Sequence, residues 1–190
     1  MGRALAILLF LAAAAAADPS YDSALRKITL IEEDRAAPGS RIWLSLQELN
    51  AYARVAVSGV APQGLRQPRL KLGQGTATGS ALVDFLKLRE LKGPPPNALV
   101  AWFLSGEKPV EATARIQTGH GLATVYVQKV KVGAITVQGA ALDFLLEHFL
   151  LPFYPEAKIG QPFELGHHMD RFEISPAGVT VVIAGKPGTR

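Results

Sequence analysis

Four histidines, sixteen carboxylates and not one cysteine set the chemistry that this 190-residue chain can attempt. Zinc sites need three or four converging ligands. His120 falls in a Gly119-His120-Gly121 turn, His148 on the polar side of a helix, and His167 and His168 are neighbours. Adjacent residues of an extended chain point to opposite sides. Asp170 or Glu173 would have to complete any set, so neither a metal nor another cofactor is expected. Nucleophilic chemistry fares no better. There is no G-x-S-x-G elbow, no phosphate-cradling loop and no dinucleotide fingerprint, and Thr78-Gly79-Ser80-Ala81 reads as a strand of small residues. Asp84 and Asp143, each followed by Phe, could act as an acid and base pair only if the fold brought them together. The expectation is a protein without catalytic activity.

The first seventeen residues say where it works. Met1 and Arg3 precede an apolar run over residues 4–17, and Ala15-Ala16-Ala17 offers small side chains to a signal peptidase. About fourteen apolar residues fall short of the roughly twenty that span a bilayer, so cleavage after Ala17 is expected. An exported domain without disulfides points to a bacterial periplasm or cell surface. With no cysteine to follow the leader, a thioether-linked lipid anchor is excluded, and any membrane contact is peripheral and noncovalent. The net charge of +4 is mild, and basic residues alternate with apolar ones instead of clustering with aromatics. Nucleic acid is therefore not an expected partner.

The remaining chain reads as one α+β domain over residues 41–185, preceded by an extended arm over residues 18–40 and followed by a loose tail over residues 186–190. Ser45 and Glu48 form a capping box, and Leu46, Leu49, Tyr52, Ala53 and Ala56 give a helix over residues 46–57. Period-two alternation then takes over. Leu70 and Leu72 alternate with Arg69 and Lys71, and Ala77, Gly79, Ala81, Val83 and Phe85 share a face. Further strands are expected over residues 99–104, 110–117 and 122–132, making an antiparallel meander curled by its glycines. Residues 163–165, 171–175 and 179–184 read as closing strands.

Between them, Leu142, Leu145, Leu146, Phe149, Leu150 and Phe153 keep the spacing of one apolar helix face, which Phe144 and Leu151 widen. The expected architecture is a curled sheet wrapped around this long helix, with the helix over residues 46–57 as the second. Apolar side chains beyond those the core needs would face a ligand or a membrane.

This order of elements, with Leu49-Asn50 in the first helix, Val137-Gln138-Gly139 leading into Leu142-Asp143-Phe144-Leu145-Leu146, and Gly178-Val179 in a terminal hairpin, resembles LmeA-like bacterial envelope proteins. The likeness covers about residues 41–184. It implies phospholipid binding and an outline similar to tubular lipid-binding domains, where a curled sheet and a helix enclose an apolar groove. The glycine-rich sheet face and the wide helix would then line the site together.

The function expected is noncatalytic binding of a lipid or other amphipathic molecule. Apolar chains would lie against Phe85, Leu142, Leu145, Phe149 and Phe153, with Arg69, Lys71, Lys129 or Lys131 near an anionic headgroup. One rival is an envelope interaction or structural module, in which the apolar surplus docks a protein and a sheet edge pairs with a partner strand. Another is a hydrolase whose Asp84, Asp143 or a histidine converge in one cleft.

Overall fold

A computed structural model describes residues 18–60, 64–90, 105–147 and 159–185. The expected leader, the strand over residues 99–104, Phe149, Phe153 and the tail lie outside the described residues. Residues 18–40 are not an extended arm. Asp18 accepts a hydrogen bond from Ser20 N (3.0 Å) and Pro19 occupies the first turn, so helix α1 runs over Pro19–Glu32. Ala24, Ile28 and Ile31 fall at i, i+4 and i+7 on its inner side, and Ala24 and Ile31 are buried. Helical burial of this stripe outcompetes the Ile28 and Leu30 alternation that suggested a strand, and it extends the domain before residue 41.

Strand β1 (Arg41–Ser45) leads directly into helix α2 (Leu46–Val60), which runs past Ser58 and Gly59. The capping box forms as expected: Glu48 N donates to Ser45 Oγ (3.2 Å) and Ser45 N to Glu48 Oε2 (2.8 Å). Glu48 is also the anchor of α1. Its other oxygen accepts from Lys27 Nζ at 2.6 Å and Ser23 Oγ at 2.5 Å. A stacked Tyr21 and Tyr52 pair and an Arg54 to Asp18 ion pair extend this helix contact.

Five strands follow in hairpin order: β2 (Leu65–Gly73), β3 (Thr76–Val83), β4 (Lys108–Gly119), β5 (Leu122–Val132) and β6 (Ile135–Val137). They form an antiparallel meander, but β3 pairs directly with β4, where the sequence predicts a strand over residues 99–104 between them, and β7 (Pro162–Glu164) pairs with the far end of β5. Two bulges adjust the alternation. One sets Gln67 and Pro68 of β2 opposite the single residue Ala81, where proline's missing N–H is tolerated, and the other places the extra residue Gln128 in β5. Phe85 leaves the strand: Asp84 Oδ1 accepts from Lys87 N (3.2 Å) and starts the short helix α3 (Phe85–Glu90). Its side chain is still buried with Val83, Val130, Val132 and Val137.

The described part of the apolar segment is helix α4 (Ala140–Leu145), where Leu142 packs against that same cluster. A long apolar helix wrapped by the sheet is not shown. Strands β8 (Met169–Ser175) and β9 (Gly178–Ile183) make the terminal hairpin, yet β9 pairs with β1, giving a separate three-stranded sheet of order β1-β9-β8. Leu44, Val181 and Ile183 of this sheet are buried against Ile31, with Leu49 alongside.

Polar clasps join the parts. The Asn50 amide lies along the β2 edge: Leu70 N donates to its Oδ1 (2.7 Å) and its Nδ2 donates to Leu70 O (3.0 Å). At the other seam the free edge of β8 meets the hairpin ends of the meander. Thr118 Oγ1 pairs with both Phe172 N (3.0 Å) and Phe172 O (2.9 Å), Gly75 N donates to Ile174 O (3.1 Å), and Gly121 N to Asp170 O (2.9 Å). Both edges that would otherwise expose main-chain groups are thus satisfied by the neighbouring layer.

Two stability outcomes follow from these clasps. Asn50→Ala strands both main-chain groups of Leu70 and should lower the urea unfolding free energy by about 2–3 kcal/mol with an unchanged slope. Burial pushes the Glu48 carboxyl up, but the hydrogen bonds from Lys27, Ser23 and Ser45 outweigh it and hold the group down at about 2, against 4.5 ordinarily. A depressed carboxyl stabilises the fold above its unfolded value and loses that contribution as pH falls towards the folded one. Unfolding free energy should therefore drop by about 1–3 kcal/mol between pH 5 and pH 2, and Glu48→Gln should be weaker at pH 7 with a flatter acid limb.

Candidate functional site

Strand alternation gives the six-stranded sheet two chemically different faces, and the register assigns each side chain to one of them. On the first face, neighbouring rows read Leu72, Ala77, Ala114, Val127; then Leu70, Gly79, Ala112, Val130, Val137; then Ala81, Val110, Val132, Ile135. On the second they read Gly73, Thr76, Arg115, Tyr126; then Lys71, Thr78, Thr113, Lys129; then Arg69, Ser80, Glu111, Lys131, Thr136.

The apolar face is packed at its ends and open in the middle. The buried cluster of Val83, Phe85, Val130, Val132 and Val137, with Leu65 and Leu142 against it, closes one end. At the other, Thr118 reaches up to β8 beside the buried Ala123. On the β2 side α2 stands at the sheet edge through Asn50. Between these limits Gly79 and its cross-strand partner Ala112 are exposed, and a Cβ added to Gly79 would meet no atom within 4 Å. The floor they make with Ala77, Ala81 and Ala114 is smooth, apolar and accessible.

The sequence-derived site residues divide accordingly. Phe85 and Leu142 meet in one cluster on the apolar face. Leu145 closes α4, but its side chain, like Phe149 and Phe153, lies outside the described residues. Arg69, Lys71, Lys129 and Lys131 are all present on one face, but it is the opposite one. Period two explains this: in β2 and β5 the bases occupy the positions between the leucines and valines, so the sheet itself separates them from Phe85. A headgroup on these bases and acyl chains on Phe85 do not form a single site. Arg69 and Lys131 instead line a shallow depression of about 390 Å³ on the polar face, with Ser80, Glu111, Gln67 and Leu82.

Sequence reasoning missed Arg115, Thr78, Thr113 and Ala112. The signal was present in the alternation of β4, where Glu111, Thr113 and Arg115 interleave with Ala112, Ala114 and Ile116.

The groups considered for catalysis are engaged separately. Asp84 caps α3 and pairs with Lys87 Nζ at 3.5 Å, whereas Asp143 is exposed on α4. Ser80 and Thr78 are half-buried strand residues, and Thr78 Oγ1 shares a hydrogen bond with Thr113 Oγ1 (2.9 Å). His167 Nδ1 sits 3.4 Å from Asp34, and His120 is exposed in the β4–β5 turn. Among the described residues no three histidine or carboxylate side chains gather as a metal site would require, and no helix is long and apolar enough to cross a membrane. No family model, no curated protein and no solved structure matches the chain.

Proposed function

We propose that this is a noncatalytic, exported envelope protein that holds a lipid or similar amphipathic molecule on the apolar face of its six-stranded sheet. The observation that carries this reading is the open floor at Gly79 and Ala112, bounded on one side by a packed apolar cluster yet exposed itself. An acyl chain or other apolar body laid there is removed from water, and each buried methylene contributes about 0.8 kcal/mol. Such binding requires no reactive side chain, only space and apolar walls, which accords with the scattered histidines and carboxylates. Phe85 and Leu142 supply the wall at one end. The long apolar helix expected from Leu142 through Leu145, Phe149 and Phe153 belongs to this proposal as the opposite wall, and so does kinship with the LmeA-like proteins that the element order resembles. The bacterial periplasm or cell surface is the proposed location.

Native mass spectrometry of protein purified from a bacterial periplasm tests it. A lipid adduct should be present, lost on organic extraction, and regained on incubation with phospholipid vesicles. Ala112→Asp places a carboxylate on the exposed floor without disturbing the core, so it should reduce the lipid-bound fraction at least about tenfold while thermal unfolding stays unchanged. A bare mass before and after vesicle incubation would sink the lipid reading and leave a protein partner as the occupant to seek.

A further inference from the structure

The polar face of the same sheet has a distinct use. Its three central rows carry Arg69, Lys71, Arg115, Lys129 and Lys131 against Glu111 alone. These three rows therefore hold an excess of four positive charges. None of these five bases is in an ion pair among the described residues, whereas Arg41, Arg54 and Arg171 elsewhere, and Arg66 in the next row of the same face, all are. The other acidic groups near the face are set apart. Glu107 is taken by Arg66 at 2.6 Å, and Glu164 sits at the far corner opposite Leu122.

Spacing adds shape to charge. Strands lie about 4.8 Å apart and alternate side chains about 6.8 Å apart, so the cations are spread over a patch of about 14 by 14 Å. Between them stand the hydroxyls of Thr76 and Ser80, and the pair of Thr78 and Thr113, in which one hydroxyl donates to the other and leaves one hydrogen for a phosphate oxygen. Arg69, Lys71, Arg115 and Lys129 are exposed. Tyr126 is the sole aromatic in the three rows, so there is no ladder for stacking bases.

We infer that this face docks the protein onto a bilayer surface carrying anionic phospholipid. A broad sheet face with evenly spread, unpaired bases and interspersed hydroxyls matches a plane of phosphates better than it matches one compact ligand. The inference rests on the envelope reading above but uses the opposite side of the sheet. Docked this way, the protein keeps its apolar floor turned away from the membrane and free for cargo.

Co-sedimentation of the full chain with phosphatidylcholine vesicles, with and without phosphatidylglycerol, tests the docking. Binding should require phosphatidylglycerol and fall steeply as salt is raised. Lys71→Gln combined with Lys129→Gln should weaken it about thirtyfold, since each base near such a surface is worth about a factor of five. Both residues are exposed, and an unchanged thermal melt will establish that the variant is folded. Arg26→Gln, which removes an exposed charge from α1, should leave binding within about twofold.

Equal sedimentation on phosphatidylcholine alone would overturn the inference. So would an Arg26→Gln defect as large as that of the double variant, or binding to duplex DNA under conditions where the anionic vesicles are ignored. Ala112→Asp separates the two proposals. If it abolishes the lipid adduct and keeps vesicle binding, both hold; if wild-type protein carries no lipid yet sediments as expected, the docking face stands without the cargo site.

Discussion

Taking the Glu48 carboxylate out of water costs on the order of several kcal/mol unless donors replace its hydration, and here three of them do. Lys27 and Ser23 come from α1, and the main-chain N–H of Ser45 comes from the end of β1, while the Ser45 hydroxyl accepts from Glu48 N in return. The anion therefore fixes the angle at which the chain enters α2 and the place where α1 lies. Two residues further on, Asn50 holds β2 by its edge. Less than one helical turn thus determines where the small sheet, both long helices and the meander meet. Because α2 is tied to an edge, it stands beside the apolar face instead of lying across it, and Gly79 and Ala112 are left accessible.

The two faces of the meander follow different energetic rules. On one, neighbouring rows of valine, leucine and alanine gain by excluding water, and any molecule that completes the exclusion is stabilised roughly in proportion to the area it covers. On the other, bases in solvent set up a positive potential whose reach is fixed by ionic strength. Placing both on one sheet requires only that polar and apolar residues alternate.

Local patterns were legible wherever the determinant was close in sequence. The Ser45 and Glu48 capping box, the hairpin at Gly119-His120-Gly121 and the alternation of Arg69, Leu70, Lys71 and Leu72 each state their conformation within a few residues. The helix over Pro19–Glu32 was also written in its Asp18-Pro19 start, but a short alternation at Ile28 and Leu30 competed with it, and only packing of Ile31 against Leu44 and Val181 decides the matter. Phe85 continued the parity of β3 and still belongs to the same cluster, although Asp84 turns the chain into a helix just before it. The pairing of β1 with β9 spans more than a hundred residues and leaves no mark in either strand. For the site, the alternation located the bases correctly on one face. The same rule sets them on the side opposite the leucines and valines, and so removes them from the apolar residues they were meant to serve.

The single extra residue in β5 gives the face assignments an unusual dependence on chain length. Val130 and Val132 share their side with Val125 and Val127, although the two pairs are out of phase by one position, and Gln128 absorbs the difference. A one-residue deletion at this exposed glutamine, ordinarily among the mildest of changes, would bring the halves of the strand into a common phase. One half could then keep its valines inward only by turning those of the other half into water. The two surfaces of the sheet are therefore kept distinct by counting as much as by composition, and insertions or deletions in mid-strand are far more disruptive than substitutions at the same place.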